Sequence, residues 1–248
     1  MATQLNIVND VLRRLREDEV NSVATSDYAT LIAMFLNDAK EDLEDEWFWA
    51  VNEISIDTSI TSDGTRTYDL TSTTDRSFLI RQINDQTPHA YDVTTNQNGQ
   101  LMDIPLKRLQ QVRDTYKGTV PNVEAPREFA ITPDSDGRGD TLTLAQGATS
   151  TRTWRTYWYA PQAELALDGT ADSTVIVLPE RPLYLRTLYY ALNERGEEMG
   201  EPGNVADQRA TKAAAAAKEI DMQVQKKTNE KDMTNLEMLR NTLGGDDF

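Results

Sequence analysis

The residues best spaced for chemistry are three acids in the run Asp134-x-Asp136-Gly137-x-Gly139-Asp140. Acids at such intervals, separated by glycines, can wrap oxygen ligands around Ca²⁺. The run lacks the downstream Glu that an EF-hand loop requires. Flanked by Glu128-Phe129-Ala130-Ile131 and Thr141-Leu142-Thr143-Leu144, it reads more simply as a turn between two strands, and no metal is assigned to it. A second candidate is Trp154, Tyr157, Trp158 and Tyr159, whose faces would stack on a sugar or a base if exposed; in an acidic chain such stacking lacks its electrostatic partner, and with Trp154, Thr156 and Trp158 alternating against Arg155, Tyr157 and Tyr159, core and sheet-face packing is the better reading. The chain has one histidine, His89, and no cysteine. Disulfides, thiolate nucleophiles and Cys-based zinc sites are therefore excluded, and a Ser-His-Asp triad could rest only on His89. His89 follows Pro88 in a polar stretch, which marks it as a loop residue. No phosphate loop, G-x-S-x-G or G-x-G-x-x-G is present. The chain reads as a non-enzyme with no catalytic residue and no cofactor.

Composition narrows the class further. The chain has 248 residues, 38% hydrophobic and 27% charged, which suits a folded protein with a sizeable core. No apolar run approaches the roughly 20 residues that span a bilayer, so no membrane partner is expected. Met1-Ala2-Thr3-Gln4 carries no signal-peptide pattern. The net charge is −16, from 25 Lys+Arg against 41 Asp+Glu. Such a surface repels nucleic acid at long range.

The elements that would position these residues fall into three blocks. Leu5, Val8, Leu12 and Leu15 recur at helical spacing between Gln4 and Arg16, with Thr3 as cap and Arg13, Arg14 and Arg16 in the last turn. A second helix is expected from Asp27 to Trp47 behind Ser26. Its polar face carries Asp38, Glu41, Asp42, Glu44, Asp45 and Glu46, and it ends in Trp47-Phe48-Trp49. Acids late in a helix oppose its dipole. Packing of the aromatic end, or a basic partner surface, must compensate. From Val51 the period changes to two. Glu53–Asp57 and Thr65–Leu70 flank Ser62-Asp63-Gly64 as a hairpin, and Tyr91–Asn96 and Gln100–Ile104 flank a second. Ser77–Ile83, Thr151–Tyr159 and Thr174–Leu178 read as strands, and Pro105 opens a short helix. Helix returns after Pro182, and again near Asn204, where Ala213–Ala217 is the strongest helix-forming run.

Segregated runs of this kind give an α+β fold. The N- and C-terminal helices (1–49 and 180–230) are expected to form one four-helix unit. Residues 50–179 form a large inserted antiparallel β domain, and 231–248 a C-terminal tail. Met233, Leu236, Met238, Leu239, Leu243 and Phe248 make that tail weakly amphipathic, suited to a partner's groove. The tail alone offers little apolar surface, so folding on contact with a partner is expected.

Five segments in this order carry a resemblance to the head-to-tail adaptor proteins of tailed bacteriophages (head-tail connector, or tail tubular protein A-like). They are Val8-Asn9-Asp10-Val11-Leu12-Arg13-Arg14-Leu15; the acidic helix into Trp47-Phe48-Trp49; Arg127-Glu128-Phe129-Ala130-Ile131; Arg155-Thr156-Tyr157-Trp158-Tyr159-Ala160-Pro161; and Val177-Leu178-Pro179-Glu180-Arg181-Pro182-Leu183. The resemblance implies a structural virion protein at the head–tail junction, assembled in the host cytoplasm. It implies a homo-oligomeric ring, a dodecamer, docked under the portal protein with a tail nozzle or tail tube protein below. DNA would pass through the channel without specific binding. In that setting the tail residues would meet the portal. Arg13, Arg14 and Arg16 would pair with an acidic helix carrying Asp38, Asp42 and Glu46, of the same chain in preference to a neighbour. The alternative is a carbohydrate-binding or carbohydrate-cleaving virion protein built on the Trp-rich strand, which requires Trp154 and Trp158 to be exposed.

Overall fold

The computed structural model describes residues 2–70, 77–79, 90–94, 99–115, 121–133, 140–196 and 201–243, with residues 78, 201–204 and 227–243 described by backbone alone. Several expectations lie outside the described residues: His89, the strand beyond Leu79, the Asn96–Asn98 turn, the 134–139 loop and Phe248. The described fold is α+β, as expected. It divides into a helical unit, residues 1–51 and 164–248, and a β unit, residues 52–163.

In the helical unit, α1 (Gln4–Arg14) starts where Thr3 accepts a hydrogen bond from the Asn6 N–H. It buries Ile7, Val8, Val11 and Leu12. It stops two residues earlier than the apolar spacing predicts. Arg16 takes φ +62°, its N–H bonds the Arg13 carbonyl, and the Glu17 N–H bonds that of Leu12. This is a Schellman closure with arginine where glycine is usual. A 3-10 turn (Val23–Thr25) leads to α2 (Asp27–Glu46), capped by Ser26 on the Ala29 N–H. Ile32, Leu36, Ala39 and Leu43 face inward. They share a core with Leu183, Leu188 and Ala191 of α4 (Glu180–Glu194).

The segment between the β unit and α4 belongs to the helical unit's own hydrogen bonding. Asn37 clamps Leu165 through both its amide groups, at 2.9 and 3.0 Å. Gln4 and Leu5 N–H groups bond the carbonyls of Thr174 and Asp172. The strand expected at Thr174–Leu178 is thus reduced to a single bridge, Val175 with Thr3. Its polar backbone is satisfied by the first residues of the chain, while Ile176 and Leu178 are buried in the helical core.

The last helix differs most from expectation. A helix followed by a separate tail was predicted; α5 instead runs unbroken from Glu201 to Leu243, 43 residues. Between Asn204 and Leu243 there is no glycine or proline, and Gly244-Gly245 follows. Nothing local halts a helix that the alanine run favours. Ala206, Ala210 and Ala214 are buried, and residues this small let α4 and α5 approach closely.

The β unit holds two sheets. One has the order β1 (Glu53–Ile60), β9 (Arg152–Tyr159), β4 (Ala90–Asp92), β5 (Gly99–Gln100), with β3 (Phe78–Leu79) also on β9. The other has the order β2 (Thr67–Leu70), β8 (Asp140–Leu144), β7 (Glu128–Pro133), β6 (Met102–Asp103). The hairpins β7–β8 and β4–β5 form as expected. The first does not: β1 pairs with β9 along its whole length, and β2 pairs with β8. The Ser62-Asp63-Gly64 turn is real, but it is a corner between sheets. Gly64 has φ +84°, and hydrogen bonds from Thr61 and then Thr65 hold the Asp63 carboxyl down to about 2. The domain is not purely antiparallel either, because β6 runs parallel to β7. The helix α3 (Leu106–Thr115) seats Leu109 and Val112 beside Ile104 and Ala130.

Candidate assembly surface

Trp154, Thr156 and Trp158 alternate on β9, and all three are 0% exposed. Trp154 meets Phe129 edge-on, at 5.9 Å between centroids. Trp158 donates to the Thr156 hydroxyl at 2.7 Å. The two sheets close over these rings, so no stacking platform for a sugar exists there and the carbohydrate alternative loses its site. The opposite face carries Arg155, bidentate on its cross-strand neighbour Asp57 at 2.7 Å for both bonds. Tyr159, which strand alternation alone would put on that outer face, is buried and accepts from the Asn52 amide.

The acidic helix solves its dipole problem at its aromatic end. Trp49 is buried and donates to the Leu43 carbonyl at 2.7 Å, satisfying one of the last carbonyls of α2. Trp47 donates to Asp221 of α5 at 2.8 Å, and the same carboxylate accepts from the Ala50 N–H. Glu46 lies between two cations, Arg186 of α4 at 2.6 Å and Lys218 of α5 at 3.0 Å. Burial pushes Glu46 up, but the hydrogen bonds from Lys218 and Arg186 outweigh it and hold the carboxyl below its usual range.

Along the same helix, Asp38, Glu41, Asp42 and Asp45 border an open groove of about 680 Å³ floored by Phe35 and Tyr190. Tyr190 donates to Asp42. Burial first, then that carboxylate, pushes the phenol up. Asp38 is pushed up by burial and by the neighbouring charges of Asp42, Glu41 and Glu164.

The arginines do not reach this face. Arg13 is held by Asp10 at 2.8 Å and Glu19 at 2.7 Å. Arg14 and Arg16 are exposed. The pairing of Arg13, Arg14 and Arg16 with the acidic helix of the same chain, preferred from the sequence, is therefore not the one made. Acids immediately around α1 take Arg13, while α4 and α5 supply the cations for Glu46. Arg186, Lys218 and Asp221 were not picked out from sequence. Each is an isolated polar residue in an otherwise unremarked helical turn, and only the packing of three distant helices brings them to the α2 terminus. Arg195 likewise ties Glu17 and Tyr28 to the end of α4, with its guanidinium 5.1 Å from the Tyr28 ring centre.

Of the tail residues, Met233, Leu236, Met238, Leu239 and Leu243 fall within the helical backbone of α5, and their side chains lie outside the description. Asp140 opens β8 with its carboxyl raised by burial; the other acids of the candidate Ca²⁺ loop are not described. Among the described residues no three carboxylates or other ligands gather as a metal site, and no helix is long and apolar enough to cross a membrane.

The family model described as SU10 adaptor protein matches residues 2–237, nearly the whole chain. The chain is a member of that adaptor family, and its role is that of a structural phage adaptor. No curated protein matches it.

Proposed function

We propose that the chain forms a ring, a dodecamer, at the head–tail junction of the virion, joining the portal protein above to a tail nozzle or tail tube protein below. In this reading the helical unit, 1–51 with the helices from Glu180 onward and the segment that leads to them, builds the ring wall. Residues 231–248 dock on the portal through Met233, Leu236, Met238, Leu239, Leu243 and Phe248. DNA passes through the bore without specific contact, and assembly occurs in the host cytoplasm. The observation that carries the reading is α5. Its 43 residues rise about 65 Å at 1.5 Å each, so one rigid element links the helical core to the proposed docking segment. The exposed positions Arg14, Arg16 and Asp38 remain available for subunit contact. Arg13, Asp42 and Glu46 already have partners within the chain and would contribute by shaping that surface.

Electron microscopy of the purified chain with and without a portal ring tests this. Coaxial stacking on the portal that disappears when residues 231–248 are deleted, with the helical unit still folded by circular dichroism, is the expected result. Stacking that survives the deletion would move the portal contact elsewhere, and a chain that never joins the portal would end the reading.

A further inference from the structure

The acidity of this chain is unevenly shared. Residues 52–163 carry 11 Lys+Arg against 14 Asp+Glu, and the helical unit carries 14 against 27, net charges of −3 and −13. Within the nearly neutral β unit, one short stretch is both basic and apolar. Met102 is 56% exposed and Leu106 46% exposed. Met102 sits on β6, an edge strand, and Leu106 opens α3. Lys107 and Arg108 follow, both exposed and without an ion-pair partner among the described residues. Leu109 turns inward and fixes the helix to its sheet.

Exposed apolar side chains beside cations offer a surface that another protein's side chains can cover. Charge selects which chain. Unpaired cations beside exposed apolar groups suit an acidic protein surface that also offers apolar contact. Duplex DNA suits them less, because it would gain from the two cations but not from Met102 and Leu106. This chain itself offers such an acidic surface, the helical unit of another copy, where Asp38 and Glu41 stand on α2 beside Phe35.

We propose that the Met102–Arg108 patch of one copy docks on the acidic helical unit of a second copy, at the α2 face. The inference rests on the ring reading and gives it a subunit contact. The two surfaces differ, so the contact is heterologous, and repeating it around an axis closes a ring.

The test is a charge swap in the full chain. Lys107→Glu/Arg108→Glu and Asp38→Lys/Glu41→Lys are purified separately. Their assembly is followed by native mass spectrometry and electron microscopy where the wild type forms rings. Each variant alone is expected to associate at least tenfold more weakly, with an unchanged circular dichroism spectrum. An equimolar mixture restores rings, because every interface then joins opposite charges with the two chains alternating. The neutral pair Lys107→Gln/Arg108→Gln replaces the reversal if the latter fails to fold, and it too must weaken assembly. Wild-type rings with indifferent variants, or a mixture that does not recover, overturn this contact and leave the ring reading standing. A wild type that forms no ring, alone or on the portal, ends both. Loss of duplex DNA retention in the Lys107/Arg108 variant with assembly intact would assign the patch to nucleic acid and overturn the inference.

Discussion

Asp38 shows how one side chain records the stress of the acidic face. Burial, and then Asp42, Glu41 and Glu164, raise its carboxyl above the ordinary range. The folded state therefore holds the Asp38 proton more tightly than the unfolded chain does. The benefit is complete below the unfolded value and is lost as pH rises through the folded one, so at pH 7 the ionised carboxylate works against folding. Asp38→Asn is expected to raise the melting temperature at pH 7, and the gain should shrink as pH falls through the carboxylate range. A melting temperature unchanged at pH 7, or lowered, would show that Asp38 is stabilised by a contact that outweighs its neighbours. At this scale the sequence is partly legible. The alternation of Trp154, Thr156 and Trp158 is enough to place all three inside. The partners of Glu46 are not legible, because helical periodicity tells which face a residue lies on but not which distant helix meets it.

Among the elements, α2 carries the most unusual burial. Lys40 and Glu44 are one turn apart, 3.3 Å between charged atoms, with side chains 2% and 0% exposed. Taking either charge away leaves the other in a dry environment, a cost of about 3–5 kcal/mol. Replacing both with apolar groups of similar size is far milder. Lys40→Ala should therefore lower the unfolding free energy by about 3 kcal/mol. The double variant Lys40→Met/Glu44→Leu should recover most of that loss, as read by urea denaturation. Equal losses in single and double variants would mean that the pair is not the main source of the cost. Elements with a strong local signal are legible in sequence: α1 and α2 start at their predicted residues, α4 starts three residues ahead of Leu183, and β7 pairs with β8. What fails is pairing at a distance. A turn signal at Ser62-Asp63-Gly64 predicts a reversal, but the two strands gain more by joining β9 and β8 separately than by pairing with each other. The C-terminal boundary fails for the opposite reason. Composition changes near Lys231, yet no glycine or proline marks an end, and the helix runs to the Gly244-Gly245 pair.

At the scale of the whole molecule, composition alone gives the charge, and the division into units shows where it resides. The helical unit carries −13 of the net −16. In the proposed ring this unit builds the wall, and many copies around one axis would repeat that charge. Duplex DNA binds proteins by exchanging its counterions for Lys and Arg, and the affinity falls steeply with salt in proportion to the number of phosphates neutralised. A strongly acidic wall has few cations to offer and adds repulsion at distances up to the Debye length, about 10 Å at 0.1 M salt. A bore of this kind would let DNA slide, because no phosphate finds a place to rest. The purified protein should accordingly retain no linear duplex in a filter-binding assay even near 50 mM salt, where phosphate contacts are strong. Fluorescence anisotropy of a labelled duplex should show no salt-dependent step. Tight binding with a steep salt slope would require a basic surface concentrated enough to overcome the net charge. The wall of the channel would then have to come from the nearly neutral β unit rather than from the acidic helices.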